Sequence, residues 1–311
     1  MDKRVLVITG PTATGKTALG IELAKRLGGE IISADSMQLY RGMDIGTAKV
    51  SPSEMQGIPH HLIDVAEPDE DWSVARWVNA AAAIAEDIFA RGKVPIIVGG
   101  TNLYIDSLLS GRSFAEKGDG ALREALGREY DAEGGEKMLE KLAAFDPERA
   151  KILAPQDRRR IVRAMEIYAL TGKTITEHDA ETRKTPPRYT SLRMALSFAD
   201  REKLYARIDR RVDSMMACGL VREVESLLDR GVPRESTAMQ AIGYKEIVEA
   251  LEGKCSLDEA VAAVKQGSRR YAKRQLTWLR RDKALRWIVW ENEPEIALAL
   301  RLSTEFIESA R

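Results

Sequence analysis

Gly10-Pro11-Thr12-Ala13-Thr14-Gly15-Lys16-Thr17 fits the pattern GxxxxGK[ST], and no other feature of this sequence restricts the fold so tightly. Its glycines let successive backbone N–H groups converge on phosphate oxygens at a helix N-terminus. The pattern carries that meaning only between a strand and a helix, and both flanks are present. Val5–Thr9 is a short apolar run. Thr17–Leu27 sets Leu19, Leu23 and Leu27 at i, i+4 spacing on one helical face, and Gly28-Gly29 stops it. In such a loop Lys16 brings a point charge to the terminal phosphate and Thr17 a hydroxyl for Mg²⁺.

The alternation continues. Glu30–Ala34 reads as a second strand, Arg76–Arg91 as an alanine-rich helix, and Val94–Val98 as a third strand closed by Gly99-Gly100. Continuous apolar strands alternating with helices predict a parallel sheet covered on both faces. Between residues 112 and 195 no core strand is evident; Asp157–Leu170 reads as a helix, and Thr185-Pro186-Pro187 as a linker. Arg193–Phe198 is a candidate strand returning to the sheet, after which the chain reads as mostly helical. The expected fold is therefore α/β: a P-loop NTPase-like parallel-sheet core flanked by helices. Residues 1–115 and 195–311 form that core, and 116–194 a mainly helical insertion domain.

Charge bears on the partner. Lys+Arg and Asp+Glu both number 48, which excludes a uniformly basic nucleic-acid binder. The balance hides segregation: residues 151–211 carry 15 basic against 8 acidic side chains, and 268–287 carry 8 against 1. Each is net +7, so the remainder is net −14. These segments fit either a track for an anionic ligand or two solvated helix faces. No run approaches the roughly 18 apolar residues of a membrane span, and the opening run leads into a glycine loop rather than a signal-peptide cleavage site. Cys218 and Cys255 have no ligand or disulfide spacing, which fits a reduced, cytoplasmic setting. Adjacent His60 and His61 point apart on an extended chain and suit structural hydrogen bonds better than chelation.

The loop does not say which phosphate compound it holds. Hydrolytic P-loop enzymes place an acid at a neighbouring strand end, whereas the third strand here ends Gly99-Gly100-Thr101. The acid is Asp35, directly after the second strand and in the usual ligand crevice of an open α/β sheet. A metal organiser, a general base and a helix N-cap all remain open for it.

Taken together, the motifs resemble the tRNA dimethylallyltransferases, also called tRNA isopentenyltransferases. The matching segments are GPTATGKT (10–17), SADSMQLY (33–40), DIGTAK (44–49), PHHLID (59–64) and GGTNLY (99–104). They continue with DPERA (146–150), DRRRIVRAME (157–166), RIDRRVD (207–213), AIGYKE (241–246) and YAKRQLTW (271–278). The resemblance spans nearly the whole chain and is weakest over 112–145. One departure is Asn102, where the family has glycine; Asn tolerates positive φ, so the turn is expected to survive.

The resemblance implies transfer of a dimethylallyl group from dimethylallyl diphosphate to N6 of adenosine 37 in tRNA, beside the anticodon, with diphosphate leaving. Gly10, Pro11, Thr12, Ala13, Thr14, Gly15, Lys16 and Thr17 would then hold diphosphate with Mg²⁺, helped by Arg207 and Arg211 at i, i+4. It assigns Asp35 as the base toward N6–H and Thr101 as a substrate contact in the same channel, which a flipped base enters. Ser36, Met37 and Gln38 would line the base pocket, with Ser36 and Gln38 bonding base edges. Further tRNA contacts implied are Arg123, Gln156, Asp157, Arg158, Arg159 and Arg160, and Gln240, Ala241, Ile242, Gly243, Tyr244 and Lys245. Arg270, Lys273 and Arg280 share a helical stripe suited to phosphates. A cytoplasmic monomer with no membrane partner completes the expectation. The competing readings are an adenylate dimethylallyltransferase, a P-loop kinase or ATPase, and an RNA-binding protein with a vestigial loop. The basic insertion opposes the first, the missing strand-end acid the second, and intact Lys16, Thr17 and Asp35 the third.

Overall fold

The computed structural model describes residues 3–111 and 118–310. Residues up to Leu109 and from Tyr189 onward form one compact unit, and Ser110–Arg188 a second. The expected 115/116 boundary lies outside the described residues.

In the first unit β1 (Arg4–Thr9) runs through the glycine loop into α1 (Lys16–Leu27). β2 (Gly29–Ser33), the one-turn α2 (Pro52–Met55) and the two-residue β3 (His60–His61) follow. Next come α3 (Val74–Ala90), β4 (Val94–Val98) and α4 (Asn102–Leu109). The second unit consists of α5 (Gly120–Glu133), α6 (Gly135–Ala143), α7 (Pro147–Lys151), α8 (Arg158–Thr171) and α9 (Ile175–Lys184). The chain then returns as β5 (Thr190–Phe198), α10 (Arg201–Cys218), α11 (Leu220–Asp229) and α12 (Tyr244–Leu251). It ends with α13 (Leu257–Leu279), β6 (Arg286–Trp290) and α14 (Ile296–Ser309).

The strands pair in parallel in the order β3-β2-β4-β1-β5-β6. Register places Leu6, Ile8, Ile31, Ile96, Val98 and Met194 on one face, packed with Leu19 and Leu23 of α1, Leu204 and Ile208 of α10, and Ala299 and Ile307 of α14. Residues of opposite parity are buried too: Val5, Val7, Ile32 and Ile97 have no exposed surface. That is why the strands read as unbroken apolar runs. Trp77 of α3 donates from Nε1 to the Ser33 carbonyl at 3.2 Å and stacks on Tyr104 with centroids 4.8 Å apart. The chain builds β2, β3 and β4 on one side of β1 and adds β5 and β6 on the other. Ligands of open α/β sheets sit at such a reversal, outside the carboxyl ends of the strands.

The second unit has its own core of Met138, Leu142, Leu153, Ile161, Ala164, Ile167 and Ile175. Phe145 stacks on Tyr168 with centroids 4.0 Å apart.

Four details depart from expectation. β3 and β6 are strands that the sequence reading missed. β5 begins at Thr190 rather than Arg193, and the second unit ends at Arg188 rather than 194. The reason is Tyr189, whose hydroxyl donates to Glu86 at 3.0 Å and whose ring lies 5.8 Å from Phe89, both on α3. Asn102 opens α4 without positive φ, and its Oδ1 accepts from the Thr9 hydroxyl at 3.0 Å. The histidines make structural bonds: His61 donates from Nε2 to buried Glu30 and His60 from Nδ1 to the Ile58 carbonyl, both at 2.8 Å.

Candidate active site

Three loops leave the carboxyl ends of adjacent strands: residues 10–15 after β1, Asp35–Gln38 after β2, and Gly99–Thr101 after β4. Backbone bonds stitch their roots together. Gly99 N donates to Ile8 O at 3.1 Å, Ala34 N to Val98 O at 2.8 Å, and Thr101 N to Ala34 O at 3.0 Å.

Gly10 turns at φ 139°, and a Cβ there would lie 2.4 Å from the Leu196 carbonyl, so only glycine passes β5 at this point. Ala13 (φ 64°) and Gly15 (φ 88°) complete the curl into α1. The loop is held from several elements. Thr14 Oγ1 donates to Pro11 O at 2.8 Å, Arg207 Nε to Ala13 O at 3.1 Å, and Trp290 Nε1 to Thr14 O at 3.0 Å. The Thr12 N–H donates to Gln275 Oε1 at 3.3 Å. That N–H is therefore turned toward α13.

Lys16 folds back, its ammonium donating to Pro11 O at 2.6 Å. Burial, and then the neighbouring Arg211 guanidinium, bring its pKa down to about 7, while Asp35 opposes the shift. Burial also lowers the pKa of Arg211, with Asp35 again opposing. Lys16, Arg211 and Asp35 are thus electrostatic neighbours. Among the described residues Arg211 has no hydrogen bond or ion pair. Arg207, one turn earlier on α10, pairs with Glu293.

Asp35 Oδ1 accepts from Met37 N at 2.9 Å and Gln38 N at 3.4 Å, capping a turn rather than a helix. Its Oδ2 has no hydrogen bond among the described residues. Thr101 Oγ1 accepts from Ser36 N at 3.1 Å and lies 3.5 Å from Ser36 Oγ. Tyr271 of α13 joins this group through Thr101 and Gln275; burial and the nearby Asp35 push its pKa up to about 12.

The expected base contact Gln38 and the expected tRNA contact Tyr244 both bond within the protein. The Gln38 amide donates to Thr47 O at 3.3 Å and Ala48 O at 3.4 Å, and its Oε1 accepts from Ser33 Oγ at 3.3 Å. Tyr244 is fully buried and donates to Glu223 at 2.6 Å. Glu223 in turn accepts from the N–H groups of Asp44 (2.9 Å), Ile45 (2.7 Å) and Gly46 (3.0 Å). Tyr244 therefore shapes the DIGTAK turn, whose next carbonyls hold Gln38. Gly243 is buried; Ala241 and Ile242 are half-buried; Lys245 and Gln240 are exposed, the latter donating to Arg234 O at 2.9 Å.

In the second unit Arg123 is bidentate to Glu166, at 2.9 and 3.2 Å, and that carboxylate is fully buried. Arg158 is bidentate to Asp131, at 2.7 and 2.6 Å, and Arg160 lies 3.2 Å from Asp157. Arg159 and Gln156 are exposed, without a hydrogen bond or ion pair among the described residues. So are Arg270 and Lys273 on α13 of the first unit and Arg280 just beyond its end.

No group of three or more His, Cys, Asp or Glu side chains suited to a metal occurs among the described residues. The Thr17 hydroxyl is exposed and makes no hydrogen bond there. This donor set fits Mg²⁺, which keeps several waters and needs few protein oxygens when phosphates supply the rest.

The strand-end loops and α10 thus bring two cations and one carboxylate within electrostatic reach of each other, an arrangement able to hold a phosphorylated compound. The family model described as "IPP transferase" matches residues 38–282, and that described as "Isopentenyl transferase" matches 3–67. A tRNA dimethylallyltransferase of Thermoanaerobacter sp. strain X514 is 49% identical over 286 residues, covering 91% of each chain. One from Exiguobacterium sp. is 52% identical, over 91% of this chain and 89% of the relative. Among solved structures, the tRNA isopentenylpyrophosphate transferase of Bacillus halodurans superposes with a TM-score of 0.74 at 39% identity, covering 99% of this chain and 98% of that one. A eukaryotic dimethylallyltransferase described as acting on tRNA gives a TM-score of 0.83 at 30% identity, over 99% of this chain and 80% of the other.

Proposed function

The chain belongs to the tRNA dimethylallyltransferases, and from that premise we propose how its own residues carry the reaction. The enzyme moves a dimethylallyl group from dimethylallyl diphosphate to N6 of adenosine 37 in tRNA, next to the anticodon. The C1–oxygen bond to diphosphate breaks and its electron pair leaves with the diphosphate. A C1–N6 bond forms, and N6 loses a proton.

The leaving group needs positive charge where its own negative charge grows. Lys16, Arg211 and the free N–H groups of the glycine loop supply it. The Thr17 hydroxyl would hold Mg²⁺, which would supply Lewis-acid neutralisation of the leaving group. The adenine amino group is a weak nucleophile, so orientation supplies much of the acceleration. Asp35 Oδ2 accepts the N6 proton, which becomes acidic only as the C–N bond forms; an ordinary carboxylate suffices. Thr101 orients the acceptor from the adjacent loop. Ser36 and Met37 contact the flipped base directly, whereas Gln38 acts through the backbone it holds. Arg159 and Gln156, with the exposed stripe Arg270, Lys273 and Arg280, take RNA phosphates; Arg123 and Arg158 do so only by sharing their carboxylate partners. The reading extends to a monomer in the cytoplasm, where the free thiols of Cys218 and Cys255 would stay reduced.

The observation that carries this reading is the convergence of Lys16, Arg211 and Asp35, two cations and one half-free carboxylate at the strand ends. The test is to mix the protein, Mg²⁺ and dimethylallyl diphosphate with an unmodified anticodon stem-loop, and in parallel with AMP. Mass spectrometry scores one added dimethylallyl unit. Addition to the RNA alone is expected. Addition to AMP alone would move the chain to the free-nucleotide branch. Addition to neither would defeat the reading and point to nucleotide hydrolysis.

A further inference from the structure

Gln275 lies in α13 and is 5% exposed. Its Nε2 donates to the Gly100 carbonyl at 2.9 Å, and its Oε1 accepts from the Thr12 N–H at 3.3 Å. One amide therefore joins the phosphate loop to the loop that bears Thr101. The approach is close: a Cβ on residue 100 would lie 2.2 Å from Nε2, so a side chain there would displace the Gln275 amide. Tyr271, one turn earlier on the same face, interacts with the Thr101 hydroxyl and with Gln275 itself. β1 and β4 are paired neighbours, so the sheet fixes the roots of both loops. Beyond the last ladder bond two side-chain bridges hold them, the Thr9 hydroxyl to Asn102 at the base and the Gln275 amide between the loops themselves.

We propose that Gln275 is a positioning residue for the transfer, setting the distance between the diphosphate and the acceptor side of the pocket at Thr101. This rests on the reading that the glycine loop holds the diphosphate of the donor. The displacement depends on how closely C1 and N6 approach, and an error of about 1 Å costs up to about 10²-fold in rate. A neutral amide suits the task because it offers a donor to one loop and an acceptor to the other. It also adds no negative charge beside a polyanion. Glutamate would keep the Thr12 bond but set an oxygen against the Gly100 carbonyl. Methionine fills a similar volume and makes neither bond.

The test compares wild type, Gln275→Met, Gln275→Asn and Lys16→Ala as full chains. It reads the single-turnover rate at saturating donor and stem-loop, KM for dimethylallyl diphosphate, stem-loop Kd, and deuterium exchange in the peptide containing Thr12. Gln275→Met is expected to slow transfer at saturation by about tenfold or more. It should also raise donor KM and speed exchange at Thr12, leaving stem-loop Kd within twofold. Gln275→Asn, one methylene too short to reach both loops, should fall between. A Gln275→Met variant with wild-type rate, or with unchanged exchange at Thr12, overturns the proposal. If Gln275→Met does not fold, the same outcomes in Gln275→Asn decide. Lys16→Ala separates the two readings: wild-type donor KM in that variant defeats the diphosphate site itself, whatever Gln275 does.

Discussion

In the proposed mechanism Asp35 caps its turn with Oδ1 and takes the N6 proton on Oδ2, so the two substitutions that remove its charge should differ. Asparagine retains the Oδ1 that caps Met37 and Gln38 but not the proton acceptor. We expect Asp35→Asn to slow single-turnover transfer by about 10²–10⁴-fold with stem-loop Kd unchanged. Asp35→Ala should additionally loosen the turn and raise KM for the RNA. Lys16 makes a prediction about pH. With its pKa at about 7, the free protein loses the ammonium as pH rises through neutrality. Affinity for dimethylallyl diphosphate should then weaken by up to about tenfold per pH unit above that point, and titration calorimetry in buffers of different ionisation enthalpy should show proton uptake on binding. Stability runs the other way. Between about pH 7 and 10.5 the unfolded chain binds the proton that the folded lysine gives up, so this residue's contribution to stability rises with pH in that window. Lys16 and Thr17 stood out through the GxxxxGK[ST] pattern and Asp35 through its place after a strand, whereas Thr101 came from the family resemblance. Gln275, Tyr271 and Glu223 were not legible, since their partners lie far away along the chain. The i, i+4 spacing of Tyr271 and Gln275 was visible, but nothing in it says what the stripe faces. Gln38 and Tyr244 were singled out, yet their polar groups serve the protein's own turn.

At the scale of elements, the strands and helices around the glycine loop were readable because an apolar run followed by a 3.6-residue period is a local signal. β3 escaped because two residues carry no period. β6 did carry a strand signal, Trp-Ile-Val-Trp, but it lay in a stretch whose neighbours read as helix. The DIGTAK turn shows how an element supports chemistry it does not perform: α11 offers Glu223, α12 offers Tyr244, and the turn they gather holds Gln38. Tyr244→Phe removes one hydrogen bond from a buried hydroxyl to the half-buried Glu223 carboxylate and should cost about 1.5–3 kcal/mol in urea unfolding. Stem-loop Kd should not change, and a loss of RNA affinity in a folded Tyr244→Phe protein would restore a direct contact. On α8 the two neighbouring arginines separate cleanly. Arg159→Glu should weaken RNA binding and reduce the magnitude of the log–log salt slope by about 0.7 or more. Arg158→Ala should chiefly destabilise the helices that Asp131 ties together.

For the molecule as a whole, two cores in one chain predict two events on heating. Calorimetry should resolve separate transitions for the unit containing the sheet and for Ser110–Arg188. Donor at about 100 times its Kd should add about 2.7 kcal/mol to the first alone. A single transition that shifts as a whole would show the units to be energetically one. With about six phosphates contacted on a single-stranded loop, RNA affinity should fall with a log–log salt slope of roughly −4. The order of the strands also has a consequence for synthesis. β1 needs β4 on one side and β5 on the other, and the ribosome delivers β5 only after the whole of the second unit. At about 5–20 residues per second, roughly 5–20 s separate the emergence of those two neighbours. During that interval the nascent half-sheet exposes the bare edge of its central strand. The helical unit, whose contacts are close in sequence, has time to fold first, and a chaperone binding nascent chains should find its target in the edge of β1.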